Sequence, residues 1–254
     1  MPCRLRKKAE NTVTLLYESG SWQHTSFLTF TFNDDNIDPY YSLRTETMPL
    51  FHKRLRKELA KQGRNVKFFY NGEYGDEGSR PHHHGIYFGI HPQLDRELIE
   101  DTWGQGFIDS SAAIPNNMDY VCGYIQSKIN GALAEDYYGG RLPPFHHASQ
   151  GLGLEFAREN LKQIEQLGYI TRHGQKMPVP RYFKRKLGIN ASDAPIRAQE
   201  EFEEYENFYK NMGWGFYDRE AIAHRKGEAI QVEKNLAAQA EMRTSKRRQN
   251  GKSL

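Results

Sequence analysis

Three consecutive histidines, His82 to His84, open a run of aromatic and β-branched residues that continues to Ile90. Such a composition predicts a β-strand. Because side chains alternate between the two faces of a strand, we expect His82 and His84 to point to one side and His83 to the other. Two imidazoles on one face can chelate a divalent metal ion, although histidine is also common on half-buried surfaces that bind no metal. The pair needs a third ligand before it indicates a metal centre.

A carboxylate stands in a position to provide that ligand. Residues 65–73 form a second predicted strand that ends at Glu73, and the segment 74–81, rich in Gly, Asp and Pro, predicts the connecting loop. If the two strands pair as a hairpin, Glu73 falls opposite His82, where cross-strand Cβ atoms lie about 4.5–5.5 Å apart. Two histidines and one carboxylate, with positions open for substrate, are also typical of zinc hydrolases and non-haem iron oxygenases. The His-Glu-x-x-His signature of zinc proteases does not occur in the sequence.

A second candidate group lies on a predicted helix at residues 116–129, whose first asparagines can cap it. Tyr120, Tyr124 and Lys128 recur at intervals of four residues and therefore share one face. Taken without the histidine motif, two tyrosines and a lysine on one helix face are explained by ordinary packing. Next to a metal ion that polarises a phosphodiester, a tyrosine hydroxyl could attack phosphorus and a lysine could stabilise the charge on the phosphate. The product would be a 5′-phosphotyrosine bond, which conserves the energy needed to reseal the strand.

The elements that must position these groups follow the order strand, helix, strand, strand, helix, strand. The two strands above are accompanied by a strand of alternating Phe, Leu and Thr, an amphipathic helix, a short helix and a short strand, at residues 25–32, 42–62, 94–103 and 106–110. This order predicts an α+β fold of the ferredoxin or RRM type, in which an antiparallel sheet carries helices on one face. The other face would stay open, and a nucleic acid could lie there.

The remaining segments predict further elements on both sides of this core. They are a first helix, an irregular segment, another helix and an extended stretch with two prolines, at residues 5–18, 139–147, 154–167 and 177–183. Two charged helices and a basic tail follow, at residues 196–212, 220–242 and 245–254. We therefore divide the chain into a core domain, residues 1–190, and a helical C-terminal extension, residues 191–254.

Composition limits the classes of protein to consider. The 254 residues carry a net charge of only +3, but basic residues cluster at residues 4–8, 53–57, 181–186 and 246–252. Such clusters suit a polyanion such as nucleic acid, while any single one could be a solvated helix face. The two cysteines, Cys3 and Cys122, exclude a disulfide scaffold and a four-cysteine zinc site. Since no apolar run approaches the length of a membrane span, we expect a cytoplasmic protein without membrane contact.

Together these motifs resemble those of the HUH superfamily of tyrosine endonucleases, and most closely the rolling-circle replication initiators of small single-stranded DNA phages of the gokushovirus or microvirus type. The similarity covers residues 27–31, 72–75, 80–89 and 120–128, and continues weakly into residues 178–186. It implies the HUH endonuclease fold, a Mg²⁺ or Mn²⁺ ion held by Glu73, His82 and His84, and Tyr120 and Tyr124 as the nucleophiles.

This chain departs from the pattern at several positions. The residue between the two metal-binding histidines, usually hydrophobic, is His83, and the lysine that often follows the first tyrosine by three residues is replaced by Gly123. The lysine role would then fall on Lys128. The cysteine-containing leader of many relatives is reduced here to residues 1–4. The order in which the two tyrosines act is left open by these departures.

The resemblance implies a metal-dependent, site-specific nickase that starts rolling-circle replication. It would cut one strand at the viral origin, stay attached to the 5′ end, and rejoin the displaced strand into a single-stranded circle. Its partners would be single-stranded and origin DNA, with a host DNA polymerase and helicase, in the bacterial cytoplasm. The alternatives are an HUH transposase or relaxase, and a non-catalytic origin-binding protein. His146 and His147 could join a second metal site, but adjacent histidines in an irregular segment are more often simply exposed.

Overall fold

The computed structural model describes residues 3–75, 80–127, 132–172 and 175–190, all of which belong to the compact unit Met1–Asp193. The helices are α1 (Cys3–Ser19), α2 (Thr47–Lys61), α3 (Arg96–Trp103), α4 (Pro115–Ser127), α5 (Ala132–Tyr138), α6 (Leu154–Glu159), α7 (Leu161–Leu167) and α8 (Arg181–Leu187). The strands are β1 (Thr25–Thr31), β2 (Lys67–Tyr74), β3 (Pro81–Phe88), β4 (Ile108–Ala112), β5 (Phe145–Ala148), β6 (Tyr169–Arg172) and β7 (Gln175–Pro178). The helices and tail predicted for residues 191–254 lie outside the described residues, so the domain division stays a prediction.

A five-stranded sheet in the order β4-β1-β3-β2-β5 forms the centre of the fold, and all of its pairings are antiparallel. The predicted sequence of strand, helix, strand, strand, helix, strand corresponds to β1, α2, β2, β3, α3 and β4. The predicted α+β class and antiparallel sheet are therefore confirmed, and they fit the HUH endonuclease fold. Within the described ranges, no helix has the length and apolarity needed to cross a lipid bilayer.

One face of the sheet packs against α2 and α3. Helix α2 is amphipathic: Phe51 and Leu55 are fully buried, while Lys53 and Lys57 on the opposite side are exposed. The buried side chains meet alternate residues of β1, among them Phe30, whose ring centroid lies 4.9 Å from that of Phe51. The side chains between this face and the two helices form the larger hydrophobic core of the described chain, and they hold β1 and β3 in place.

The second face is covered in part by α1 and α4, which corrects the expectation that it is open. Phe69 of β2 and Ile86 and Phe88 of β3 pack there against Leu15 of α1 and Val121 of α4. The physical reason is visible in the sequence, because residues 86–88 are apolar at consecutive positions and a strand of that kind must be buried on both faces. The polar ends of β2 and β3, which carry the candidate ligands, lie at the other end of the same face.

Several elements differ from the sequence-based predictions. The segment 139–147, predicted to be irregular, contains the start of edge strand β5, and the helix predicted for residues 154–167 is divided at Asn160 into α6 and α7. The stretch predicted to be extended over residues 177–183 is extended only as far as Pro180. This residue occupies the N-cap position of α8, and its φ of −53° suits the entry to a helix. Apolar residues of α6, α7 and α8 then pack against Val13 and Tyr17 of α1.

Candidate metal and nucleophile site

The register of the central strands brings the predicted ligands together. In the β2–β3 pair Glu73 lies opposite His82 and Asn71 lies opposite His84, and Thr29 of β1 is the partner of His84 on the other side. The hairpin alignment expected from the sequence is therefore confirmed. Alternation along β3 places His82 and His84 on the face of α1 and α4, and His83 on the face of α2 and α3.

The ligand atoms of Glu73, His82 and His84 all lie within 4.8 Å of one another. Glu73 Oε1 is 2.9 Å from His82 Nε2 and 3.0 Å from His84 Nε2. Burial alone would raise the pKa of Glu73, but its hydrogen bonds with the two imidazoles outweigh burial and hold the pKa below its ordinary value. The site therefore contains a buried carboxylate that is ionised at neutral pH, flanked by two imidazole nitrogens.

Hydrogen bonds at the far side of each ring orient the two imidazoles. His82 Nδ1 lies 3.1 Å from the carbonyl oxygen of Arg80, and His84 Nδ1 lies 2.8 Å from Thr29 Oγ1. Each Nε2 lies within hydrogen-bond distance of Glu73 Oε1, to which its N–H donates. If the ring proton sat on Nδ1 instead, the Nε2 lone pair would be free to bind a metal ion, and the partners of Nδ1 would favour that form. Thr29 is a residue of the candidate site that sequence reasoning missed, because it is one of several threonines in an alternating strand.

The residues present fit a divalent cation. The second carboxylate oxygen, Glu73 Oε2, is buried, and no residue in the described part of the chain donates a hydrogen bond to it. A buried anionic oxygen without a partner is costly, and a cation would satisfy it. Two imidazoles and one carboxylate can supply three ligands and leave further coordination positions to solvent or substrate.

Tyr120 lies beside this cluster. Its ring is edge-on to the His84 ring, with centroids 5.7 Å apart, and its distance to the Phe27 ring is 6.1 Å. The side chain is 48% exposed, so a substrate can reach it. Tyr124 follows one turn later on α4, but its side chain is outside the described part of the structure, as is Lys128. Their placement relative to the cluster therefore stays a prediction.

A buried asparagine connects the tyrosine helix to the metal strand. Asn71 alternates with Glu73 on β2, is only 2% exposed, and donates a hydrogen bond from Nδ2 to the carbonyl oxygen of Val121, the residue after Tyr120. Sequence reasoning missed this residue as well. The available signal was its position two residues before Glu73, which puts it on the same face of the strand.

The other histidines do not extend the cluster. His83 is fully buried among aromatic rings on the opposite face, and burial lowers its pKa to about 3, so it is neutral. His146 and His147 sit on edge strand β5, where alternation sends them to opposite faces: their rings lie 5.7 Å from Phe69 and 5.7 Å from Tyr70 respectively. Among the described residues, only Glu73, His82 and His84 form a group that could hold a metal ion.

Comparison with known proteins finds a family match for the segment that contains the candidate site. Residues 25–129 match the family model described as Replication-associated protein ORF2/G2P, and this span contains all of the candidate ligands and both tyrosines. The chain is 27% identical over 206 residues to Replication-associated protein VP4 of Bdellovibrio phage phiMH2K, covering 72% of this chain and 64% of that protein. It is 29% identical over 213 residues to Replication-associated protein ORF4 of Chlamydia phage 1, covering 74% and 53%.

A third relative, Replication-associated protein ORF2 of Spiroplasma virus 4, is 27% identical over 211 residues, covering 73% of this chain and 65% of that protein. The chain thus spans between about half and two thirds of the length of the curated relatives it matches. No solved structure matches the chain significantly. The resemblance drawn from the sequence motifs is confirmed by these relatives.

Proposed function

We propose that this chain, whose residues 25–129 match the family model of replication-associated proteins, initiates rolling-circle replication by cutting one strand of phage DNA through a tyrosine. The observation that carries the proposal is the 5.7 Å separation between the Tyr120 ring and the His84 ring. It places an exposed hydroxyl-bearing side chain next to the group of residues that could hold a metal ion.

Glu73, His82 and His84 would hold the cation. Imidazole ligands suit transition metals, while carboxylates also suit Mg²⁺. This mixed set of ligands therefore favours Mn²⁺ over Mg²⁺, and either ion could fill the site in the cell. A bound divalent ion would polarise the non-bridging oxygens of the phosphodiester and neutralise charge on the departing oxygen.

The protein side chains supply the nucleophile. The hydroxyl oxygen of Tyr120 attacks phosphorus, a new P–O bond forms to the tyrosine, and the bond from phosphorus to the 3′ oxygen breaks. The tyrosine proton passes to solvent and the departing 3′ oxygen takes up a proton, so the step consumes no water and no nucleotide cofactor. The DNA is left with a free 3′ hydroxyl and a 5′ end attached to the protein, which preserves the bond energy for rejoining.

Tyr124 and Lys128 complete the proposal. On α4 the second tyrosine comes one helical turn after the first, so each could act in a separate strand transfer: one to open the circle and one to release it. Lys128 would offset charge on the phosphate during transfer. The free 3′ hydroxyl would prime a host DNA polymerase, and a host helicase would separate the strands in the bacterial cytoplasm.

The direct test is incubation of the protein with single-stranded phage origin DNA and Mn²⁺, followed by a denaturing gel and peptide mapping of any adduct. We expect a covalent adduct on Tyr120 or Tyr124 and none in the Tyr120→Phe/Tyr124→Phe double variant. Tyr137→Phe is a matched control, because this exposed tyrosine lies on α5, outside the proposed site. Binding of origin DNA without any cut would favour a non-catalytic origin-binding protein.

A further inference from the structure

A cavity lies on the same face of the sheet as the metal-ligand cluster. It has a volume of about 620 Å³ and is enclosed by α1, α6, α8, the edge of the sheet at β2, and the turn that follows β5. Cavities that bind small ligands in proteins measure about 300–1,000 Å³, so this one could enclose a single nucleotide. Most of its wall comes from helices outside residues 25–129, the segment that matches the replication family.

The lining combines cations, aromatic rings and amides. Arg158 of α6 and Lys186 of α8 are both exposed, and neither forms an ion pair with the residues that the structure describes. No acidic side chain lines the cavity. Two cations in a wall that contains no carboxylate attract a phosphate, and arginine can contact it through two parallel hydrogen bonds.

The remaining lining groups suit a planar base with polar edges. Phe69 and Tyr182 provide aromatic rings, and Asn11 and Gln150 provide amides that can donate and accept hydrogen bonds. The Tyr182 hydroxyl accepts a hydrogen bond of 3.0 Å from the Gly151 backbone N–H, which fixes the position of this ring. Stacking of a base on such a ring contributes to binding of single strands whatever the base.

Strand β2 connects this cavity to the metal-ligand cluster. Phe69, Asn71 and Glu73 alternate along β2 on one face, and at about 3.3 Å per residue Phe69 lies roughly 13 Å from Glu73. Because α4 covers the sheet at Asn71, a strand whose scissile phosphate is at Glu73 would pass outside this helix and place a nucleotide a few positions away in the cavity.

We propose that the cavity between α1, α6 and α8 binds one nucleotide of the single-stranded DNA, with Arg158 and Lys186 on its phosphate and Tyr182 against its base. That the bound DNA is also the strand to be cut rests on the proposed function, but binding in the cavity does not require cutting. The same chemistry would accept a free nucleotide, and the experiment below separates the two.

The test measures affinity for a fluorescent single-stranded oligonucleotide, with the full chain and EDTA so that no cutting occurs. We expect the Arg158→Gln/Lys186→Gln variant to bind roughly tenfold more weakly, with a slope of log affinity against log salt shallower by about 0.7–1.4. Lys61→Gln/Lys162→Gln is the matched control: it also removes two exposed positive charges, but from α2 and α7, outside the cavity lining and outside the basic clusters. Equal loss of affinity in the two variants would overturn the proposal.

Photocrosslinking gives a second readout that does not depend on variant stability. An oligonucleotide carrying 5-iodo-deoxyuridine should crosslink to the peptide containing Tyr182, and a crosslink confined to other peptides would overturn the proposal. Crosslinking of 5-iodo-deoxyuridine monophosphate, but not of the oligonucleotide, to this peptide would identify a free-nucleotide site and overturn the DNA assignment. Both binding assays omit metal and therefore do not depend on cutting. If the chain binds DNA in this cavity but forms no adduct in the Mn²⁺ assay, the proposed function is refuted while the nucleotide site is retained.

Discussion

Asn71 on β2 donates a hydrogen bond to the backbone carbonyl oxygen of Val121 on α4, and this contact ties the helix of Tyr120 to the strand of Glu73. Asn71 is buried and its strand partner is His84, so one residue contacts both the helix of the candidate nucleophile and the strand of two candidate ligands. We regard it as a positioning residue, because it would act on Tyr120 through the backbone of α4.

Replacement of Asn71 should therefore change catalysis more than stability. We expect Asn71→Leu to cost about 1–3 kcal/mol of unfolding free energy through the lost buried hydrogen bond. The rate of adduct formation should fall at least tenfold at saturating DNA, while DNA affinity and Mn²⁺ affinity are retained.

Ser26→Ala provides the control for Asn71. It removes a buried side-chain hydrogen bond, from Ser26 to the carbonyl oxygen of Ile90, away from the tyrosine helix. Chemical denaturation and single-turnover adduct assays on both variants would compare the two effects. A similar rate loss in both variants would show that Asn71 has only a structural role.

Thr29 should influence metal binding without being a ligand. In Thr29→Val the Oγ1 partner of His84 Nδ1 is lost, so the imidazole is less well oriented and Mn²⁺ affinity should fall by about 10-fold. Thr31→Val is the matched control, because Thr31 lies two residues further along β1 and its hydroxyl bonds the Phe107 carbonyl oxygen instead. Titration calorimetry measures the Mn²⁺ affinity of each variant, and equal affinities in the two variants would contradict the prediction.

His52 should make the fold sensitive to acid. Burial, assisted by the nearby positive charge of Arg56, lowers its pKa to about 2, while the histidine of an unfolded chain has a pKa of about 6.5. Only the unfolded state takes up a proton between these values, so the stability contributed by neutral His52 is complete above pH 6.5 and is lost progressively below it.

At pH 5 this loss should amount to about 2 kcal/mol. The measurement is urea unfolding at pH 7 and pH 5 for the wild type and for His52→Gln, whose side chain does not titrate. The wild type should lose about 2 kcal/mol more than the variant between the two pH values. An identical pH dependence would show that His52 is protonated in the folded chain.

Gly123 on α4 allows a test of how closely DNA approaches the helix. A Cβ at this position would meet no atom closer than Lys8 Nζ at 3.8 Å, an ordinary van der Waals contact. Gly123→Ala should therefore stabilise the protein by about 0.5–1 kcal/mol. If the DNA backbone passes over Gly123, adduct formation should fall although stability rises; melting and nicking assays on the same sample would separate the two effects.

The sequence was sufficient to predict the arrangement of the candidate ligands. The opposition of Glu73 and His82 follows from two strands joined by a short loop, and alternation alone separates His83 from its neighbours. Both inferences depend on local geometry that the chain cannot alter without breaking the sheet.

The elements that the sequence did not predict depend on long-range packing. Edge strand β5 consists of four residues and is stabilised by pairing with β2, and α8 begins where Phe183 can be buried against α1. The cover formed by α1 and α4 over Ile86 and Phe88 is also a tertiary effect. Asn71 and Thr29 are polar residues in strands, and their hydrogen-bond partners come from other elements, so local sequence does not identify their role.

The central position of β3 has a consequence for a cell in which the metal is scarce. His82 and His84 are held by backbone ladders to β1 on one side and β2 on the other, and the core beneath them contains no ligand. Loss of the ion would therefore leave the fold intact, with its surfaces for DNA still in place. Under the proposed function, such a protein would bind the origin without cutting it, so in a metal-poor cell metal-free copies would compete with active copies for the origin.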